Sequence, residues 1–343
     1  MTQFLVSVII YNYNYGRFLH DCFNSVLSQT YPNIEILFSD NASQDNSWEI
    51  ALDYQSKFPN RIFVARNHTN FGTDANFRNC IAALRGKYFL VLGSDDVIHR
   101  DYISIAVRYL DTWPDVAFVM AHRYILDGFG TTSSEAPFYN GNYKLFPPSQ
   151  AVVYMMAAVN PSISQVIYRK EPALARCVQG SFASQYYGTR IMDFRLCLEF
   201  PVIYLSDALV GHRIHGINQS LEANSNLMEI IGPYVLNFQF AELARPFGFS
   251  KVTDKLEPAK HKLSTLALRY SRRAFHFGHL RLATQYLHLS AAIDPDSKDS
   301  AEYTYLNSLI SGDGPLELSS ELPSLEFQRT TSYDPEPPFD KIA

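Results

Sequence analysis

The sequence predicts an α/β protein built on a mostly parallel central sheet and followed by a C-terminal α-helical extension. Three observations carry this. Short β-branched apolar runs recur through the first hundred residues, amphipathic stretches alternate with them, and the composition turns helical beyond about residue 222. Strands that alternate with helices predict βαβ units, in which a crossover helix joins parallel neighbours.

Each element follows from its pattern. Phe4-Leu5-Val6-Ser7-Val8-Ile9-Ile10 reads as a buried strand, since strands covered on both faces are apolar throughout. Tyr11 to Arg17 is a polar loop, and Phe18 to Gln29 repeats apolar residues at helical spacing. Ile34 to Phe38 is the second strand, ending in a turn-rich run that leads into a helix near Ser47. Arg61 to Ala65, a helix over 74–84 and a strand from Lys87 to Leu92 complete the alternation. Beyond residue 100 the pattern loosens: strands are expected at 116–121, 163–168, 202–205 and 209–213, and a helix over 190–200. Residues 127–149, rich in Gly, Ser, Pro and Asn, read as a long loop. Helical periodicity returns at 236–243, 260–277 and 280–292, and 311–343 reads as an acidic, Pro- and Ser-rich flexible tail.

Composition narrows the function classes. The chain has 343 residues, 47% hydrophobic and 18% charged, with net charge −5. That balance lacks the basic face that nucleic-acid binding needs, and it speaks against general adhesion to anionic membranes. Aromatic residues make up 14%, and rings are good platforms for sugars and bases, although most serve as core. The cysteines at 22, 80, 177 and 197 lack C-x-x-C spacing and are expected as free thiols in a reducing cytosol. No signal peptide is apparent, and the longest apolar run, Ala151 to Val159, falls well short of the ~20 residues of a membrane-spanning helix.

Ligands of open α/β sheets sit outside the carboxyl ends of the strands. Three polar runs fall there: 11–17, 39–45 and 93–96. In Gly93-Ser94-Asp95-Asp96, two adjacent carboxylates are tolerated if solvated, paired or bound to a hard cation such as Mg²⁺ or Mn²⁺; a solvated turn or helix cap is the plain alternative. Asp40 fits either a contact to a base or a cap for the helix after it. Asp193 lies among Ile191, Met192, Phe194, Leu196 and Leu198, where a carboxylate needs a task or a partner such as Arg190 or Arg195. His212-Arg213-Ile214-His215-Gly216 gathers basic groups after a strand, suited to a diphosphate or to structural roles.

Taken together these runs resemble the family 2 glycosyltransferases, which have the GT-A nucleotide-sugar fold. Val6 to Asn14 looks like the family's first strand and loop, and Ser25-Val26-Leu27-Ser28-Gln29-Thr30-Tyr31-Pro32-Asn33-Ile34-Glu35-Ile36 is similar to its most recognisable stretch. Asp40-Asn41-Ala42-Ser43-Gln44-Asp45 stands in place of its Asp-Asp-Gly-Ser-Thr-Asp-like turn. Asn70-Phe71-Gly72, Arg78-Asn79 and Gly86-Lys87-Tyr88 match the run into the acidic turn. Met192-Asp193 stands in place of a Glu-Asp pair, and Arg213-Ile214-His215-Gly216 with Asn218 and Ser220 looks like the closing motif.

The resemblance covers about residues 4–220 and implies a GT-A-like domain over 1–222, with a nucleotide-sugar half (1–100) and an acceptor half (101–222). It implies an inverting transfer from a nucleotide-sugar donor, usually a UDP-sugar, to an acceptor hydroxyl, in cell-surface polysaccharide or glycan synthesis. By the same resemblance Tyr11, Asn14, Asp40, Arg78, Ser94, Asp96 and Arg213 contact the donor. Asp95 and His215 hold a divalent metal, Mn²⁺ or Mg²⁺, and Asp193 is the catalytic base. Two departures stand out: Gly93 replaces the first Asp of the usual Asp-x-Asp, and Met192 replaces the Glu before the base.

A sugar-phosphate nucleotidyltransferase could share the nucleotide half, and a non-catalytic scaffold with a degenerate transferase domain is the rival from another class. Residues 274–295, within a helical extension of 223–310, look like one tetratricopeptide-type hairpin, which needs about three copies to stand alone. The expected partners are a nucleotide sugar and a glycan or lipid-linked acceptor, with no nucleic acid. A cytoplasmic setting, peripheral association with the inner face of the membrane and pairing through the helical extension are all compatible with this reading.

Overall fold

The computed structural model describes residues 3–130, 132–156, 162–177, 189–215, 226–312 and 331–343. The first half alternates as expected: β1 (Val6–Asn12), α1 (Gly16–Leu27), β2 (Ile34–Asp40), α2 (Ser47–Lys57), β3 (Ile62–Arg66), α3 (Thr73–Ala82) and β4 (Tyr88–Val91). β1 lies between β2 and β4, β3 flanks β2, and all three pairings are parallel. Every residue of β2 and β4 is buried, so these strands read as unbroken apolar runs. The polar residues of β2 are Glu35, Ser39 and Asp40; Glu35 accepts from Ser7 Oγ at 2.6 Å and pairs with Arg85.

The second half is mixed. It contains β5 (Val97–Ile98), α4 (Tyr102–Thr112), β6 (Phe118–Leu126), β7 (Thr132–Ser133), β8 (Tyr143–Leu145), α5 (Ser149–Met156), β9 (Val166–Arg169), α6 (Lys170–Arg176), α7 (Arg190–Glu199) and β10 (Val202–Arg213). β9 runs antiparallel between β4 and β6 and joins the halves into one sheet, while β10 is parallel to β6.

Several expectations need correction here. The two short strands expected at 202–205 and 209–213 are one strand, irregular between Leu205 and Val210, where Asp207 and Ala208 are exposed. The mid-strand break in apolar pattern is a bulge, not an end. The expected loop of 127–149 contains β7 and β8, and Tyr139 within it is fully buried, donating to Gln150 at 2.7 Å. α4 escaped the pattern reading, yet it buries Tyr102, Ile103, Ala106, Val107 and Leu110.

The flexible tail is also corrected in part. β11 (Phe339–Lys341) pairs antiparallel with β8, and the Tyr333 N–H donates to the Phe138 carbonyl at 2.9 Å. A sheet edge left bare offers unpaired backbone groups, and this segment covers one. Of the tail, 313–330 lie outside the described residues, as do 178–188 and, in the closing motif, Gly216, Asn218 and Ser220.

The chain divides into two compact units, Met1–Gln150 with Asn160–Gly216 and Arg329–Ala343, and Ala151–Val159 with Ile217–Gln328. The last fifteen residues therefore belong with the sheet, not with a separate tail. The second unit is helical: α8 (Met228–Ala244), α9 (Ser250–Thr253), α10 (Leu256–His276), α11 (Leu280–Ile293) and α12 (Ala301–Ser311). α10 and α11 form a hairpin, turned at Gly278, whose φ of 76° suits glycine. Leu263, Ala267 and Tyr270 meet Tyr286 and Ile293 across it, with Ile230 of α8 in the same core. Leu306 of α12 packs on Leu268 and Leu287. Among the described residues no helix is long and apolar enough to cross a membrane.

Candidate functional site

The loops after β1 and β2 lie side by side because their strands are in register, with Asn12 opposite Asp40. Their polar side chains then answer one another. Asn12 Nδ2 donates to Asp40 Oδ1 (3.1 Å), the Asn14 N–H to Ser43 Oγ (2.9 Å), the Gln44 N–H to Asn14 Oδ1 (2.8 Å) and the Gly16 N–H to Asp45 Oδ2 (2.8 Å). The loops approach so closely that a Cβ on Gly16 would stand 2.4 Å from Asn46 Oδ1. Asn14 adopts φ 59°, a left-handed conformation that Asn tolerates better than most residues. Tyr11, at the end of β1, meets Phe77 edge-on at 6.1 Å; burial raises its phenol well above the ordinary range, and Asp95 adds to this.

Asp40 is fully buried. Its Oδ1 also accepts from Ser43 Oγ (2.5 Å), and its Oδ2 takes the Ser43 N–H (3.0 Å) and Arg66 Nε (3.3 Å). It therefore braces both loops and reaches a base only by exchanging a partner. Asn76 of α3 was missed by the sequence reading. It is buried, accepts from Ser39 Oγ (2.5 Å) and donates to the Asn12 and Ser39 carbonyls (3.2 and 3.0 Å). Arg78, two residues on, is half exposed and stands 3.6 Å from Asp74 on its own helix.

The acidic turn follows β4 and is met by the end of β10, with β5 pairing to β10 just beyond it. Asp96 is buried: its Oδ1 accepts the Arg213 N–H (2.8 Å), its Oδ2 accepts from Ser164 Oγ (2.5 Å), and His212 Nδ1 stands 3.2 Å from Oδ1. Burial opposes its charge, but His212, Ser164 and the Arg213 N–H outweigh that and hold the carboxyl below its ordinary value. Ser164, also missed, accepts the Gly93 N–H at 2.9 Å as well, so it ties both ends of the turn. A Cβ on Gly93 would stand 3.0 Å from carboxylate oxygens of both Asp95 and Asp96, which explains the small residue at the first position of the motif.

Asp95 Oδ2 faces His215 Nε2 at 3.1 Å. Burial raises the Asp95 carboxyl above its ordinary value, with the His215 contact opposing. The His215 ring packs on Phe18 (4.6 Å between centroids) and edge-on to Tyr15 (5.3 Å). Its Nδ1 lies 3.4 Å from Arg17 Nη2. A guanidinium only donates, so Nδ1 accepts in this arrangement and the Nε2 proton faces Asp95.

Two predicted contacts are buried. Ser94 is buried. Arg213 is 3% exposed, and its guanidinium donates to the Asp95 carbonyl (2.8 Å), to the Asp127 carbonyl (3.3 Å) and to Asp21 Oδ2 (3.0 Å). It clasps three segments together. The exposed cation at the turn is Arg17, whose guanidinium lies 4.4 Å over the Phe18 ring. It belongs to the polar loop of 11–17, but its chain position alone did not set it beside His215.

Asp193 is placed apart from these contacts, near the start of α7. Its oxygens accept from Tyr168 Oη (2.7 Å) and Thr189 Oγ1 (3.1 Å). Burial raises its carboxyl to about 7, against the opposing pull of these two hydrogen bonds and of Arg190. Tyr168 and Thr189 are further residues that no sequence signal singled out.

Among the described residues no group of three or more His, Cys, Asp or Glu side chains could hold a metal by itself. Asp95 and His215 supply a carboxylate and an imidazole that face one another at 3.1 Å, and a cation bound here would take the place of the proton between them. This donor set suits a hard cation that takes one or two protein ligands and completes its shell with substrate phosphates.

Comparison with known proteins agrees with this fold. The structure of S. aureus TarS residues 1–349 in complex with UDP-GlcNAc aligns with a TM-score of 0.55 and 16% identity, covering 99% of this chain and 100% of that one. The fold is thus of the GT-A class, with C-terminal helices. The model of glycosyl transferase family 2 matches residues 7–173. An uncharacterized glycosyltransferase of Nostoc sp. is 30% identical over 242 residues, 65% of this chain and 69% of its own length. The Escherichia coli UDP-Glc:α-D-GlcNAc-diphosphoundecaprenol β-1,3-glucosyltransferase WfaP is 35% identical over 129 residues, 37% of this chain and 49% of its own length. This chain belongs to glycosyl transferase family 2.

Proposed function

We propose that the protein transfers a sugar from a nucleoside diphosphate donor, with UDP-sugars the first to test, to an acceptor hydroxyl of a cell-surface glycan or its lipid-linked precursor, inverting the anomeric carbon. The observation that carries this reading is the pairing of Asp95 with His215, 3.1 Å apart though 120 residues apart in sequence, at the carboxyl end of β4. The activity of the E. coli relative, which transfers glucose from UDP-Glc to a diphosphoundecaprenol-linked GlcNAc, points the same way.

In this reading Asp95 and His215 would hold a divalent cation, which would supply a Lewis acid for the departing diphosphate. Arg17 adds a guanidinium on the exposed side, where extra negative charge develops as the anomeric C–O bond breaks. Tyr11 and the Asn14 loop border the nucleoside, and Asp96 orders the turn. The attacking hydroxyl gives its proton to Asp193, whose carboxyl, raised to about 7, suits proton transfer near neutrality. A single displacement from the opposite face gives inversion.

The test is a panel of nucleotide sugars with Mn²⁺ or Mg²⁺, read by release of nucleoside diphosphate. Pyrophosphate release would instead indicate a nucleotidyltransferase, and no metal-dependent donor binding a scaffold. Asp193→Asn is expected to lower transfer about a thousandfold while leaving donor binding within about twofold; unchanged turnover would remove Asp193 as the base. The variant also has a pH signature. Protonated Asp193 favours the folded state fully below its ordinary value of 3.8, and that contribution is lost as pH rises through about 7. Asp193→Asn is therefore expected to gain melting temperature over the parent at pH 8 more than at pH 4.

A further inference from the structure

The tip of the α10–α11 hairpin has no role in the reading above. His276, Phe277, Gly278, His279, Leu280 and Arg281 are all exposed in succession, Phe277 at 54% and Leu280 at 51%. Arg273 lies 5.6 Å over the Phe277 ring, so a cation and the apolar group share one surface. In a chain of net charge −5, residues 258–293 hold six Lys and Arg, four His and no Asp or Glu.

The hairpin's own acids are remote from its tip. Glu257 precedes Arg273 by sixteen residues and Asp294 follows Arg281 by thirteen. At 1.5 Å per helical residue these separations are about 24 and 20 Å, more than twice the screening length of roughly 8 Å at physiological ionic strength. The hairpin's own acids therefore leave the charge of Arg273 and Arg281 unopposed along the two helices, while Glu229 of α8 acts on Tyr286 deeper in the same core.

We propose that this tip docks on an anionic lipid surface, with Phe277 and Leu280 entering the headgroup layer and Arg273 and Arg281 against lipid phosphates. The occupant must offer an apolar medium and negative charge together, and an anionic bilayer offers both. A second copy of the tip would bring like charges face to face. The surface stands outside the residues assigned to sugar transfer, so it can be tested without a donor or acceptor.

The experiment is flotation of the full chain with vesicles of phosphatidylcholine alone or mixed with phosphatidylglycerol. Binding is expected only to the mixed vesicles. Arg273→Gln with Arg281→Gln should weaken it about tenfold, and Phe277→Ser with Leu280→Ser at least about fivefold. Equal binding of parent and variants, or binding indifferent to phosphatidylglycerol, would overturn the proposal. So would tip-dependent self-association in light scattering without vesicle binding. Phe277→Trp provides a second reading that does not depend on a loss: its emission should shift to the blue with mixed vesicles, and an unshifted spectrum counts against docking. Nucleoside diphosphate binding in the same samples should not change, which separates failure here from failure of the transferase reading.

Discussion

The loops after β1 and β2 and the turn after β4 are both polar and both sit at strand ends, but they are built differently. In the first pair, side chains and backbone groups satisfy one another: Asp40 alone accepts from Asn12 and Ser43 and pairs with Arg66. In the second, Asp96 is satisfied in the same way, while its neighbour Asp95 is raised by burial and faces an imidazole. The difference separates residues that hold shape from a residue placed to meet charge. Substitutions in the loops should cost stability first, and substitutions at Asp95 should cost function first.

Asp95→Ala gives the largest expected effect. Turnover should fall about a thousandfold through loss of metal-assisted stabilisation, and metal-dependent nucleotide binding with it. The melting temperature should hold or rise, because a buried carboxylate is removed. A variant that unfolds but turns over normally when folded would erase the contrast. Gly16→Ala should do the reverse. Its new methyl meets Asn46 Oδ1 and Asp45 Oδ2, which costs about 1–3 kcal/mol in denaturant unfolding, and turnover at low temperature should stay within about threefold.

The smallest effect tests the two arginines. Arg17→Ala should leave stability unchanged and weaken UDP binding about tenfold, with uridine unaffected, since an exposed charge-assisted contact is lost. Arg213→Met should instead lower the melting temperature, as Asp21 and two carbonyls lose their donor. Calorimetric titration of UDP and uridine against both variants decides which cation faces the diphosphate. Equal losses for UDP and uridine would remove Arg17 from that role.

The parallel half was legible in the sequence because its strands are buried on both faces and its helices have an apolar stripe; periodicity reports both directly. The antiparallel half was not. β8 and β11 are three residues each and gain their identity from pairing across almost two hundred positions, which no local pattern encodes. α4 was legible as well, since its buried residues recur at helical spacing between polar flanks. In the site, the residue types at strand ends marked Asp95 and His215 as worth attention. Their facing, and the placing of Arg213 inside and Arg17 outside, depend on which side of β10 and α1 each side chain leaves, which a one-residue difference inverts. Ser164 and Thr189 are common residues made important only by the carboxylates they touch.

The pairing of β11 with β8 has a practical corollary for anyone shortening this chain. Both flanks of the helical portion are stitched to the same sheet-bearing body, which makes that portion an insertion rather than an appendage. Ending the polypeptide at Gly312 would spare Asp95, His215 and Asp193, yet strip a border strand and the Tyr109 contact to the Ala343 carbonyl. The raw edge of β8 would then be open to a neighbouring molecule. Removing the helices while keeping the final residues on a short bridge would respect the architecture; trimming from the end would not.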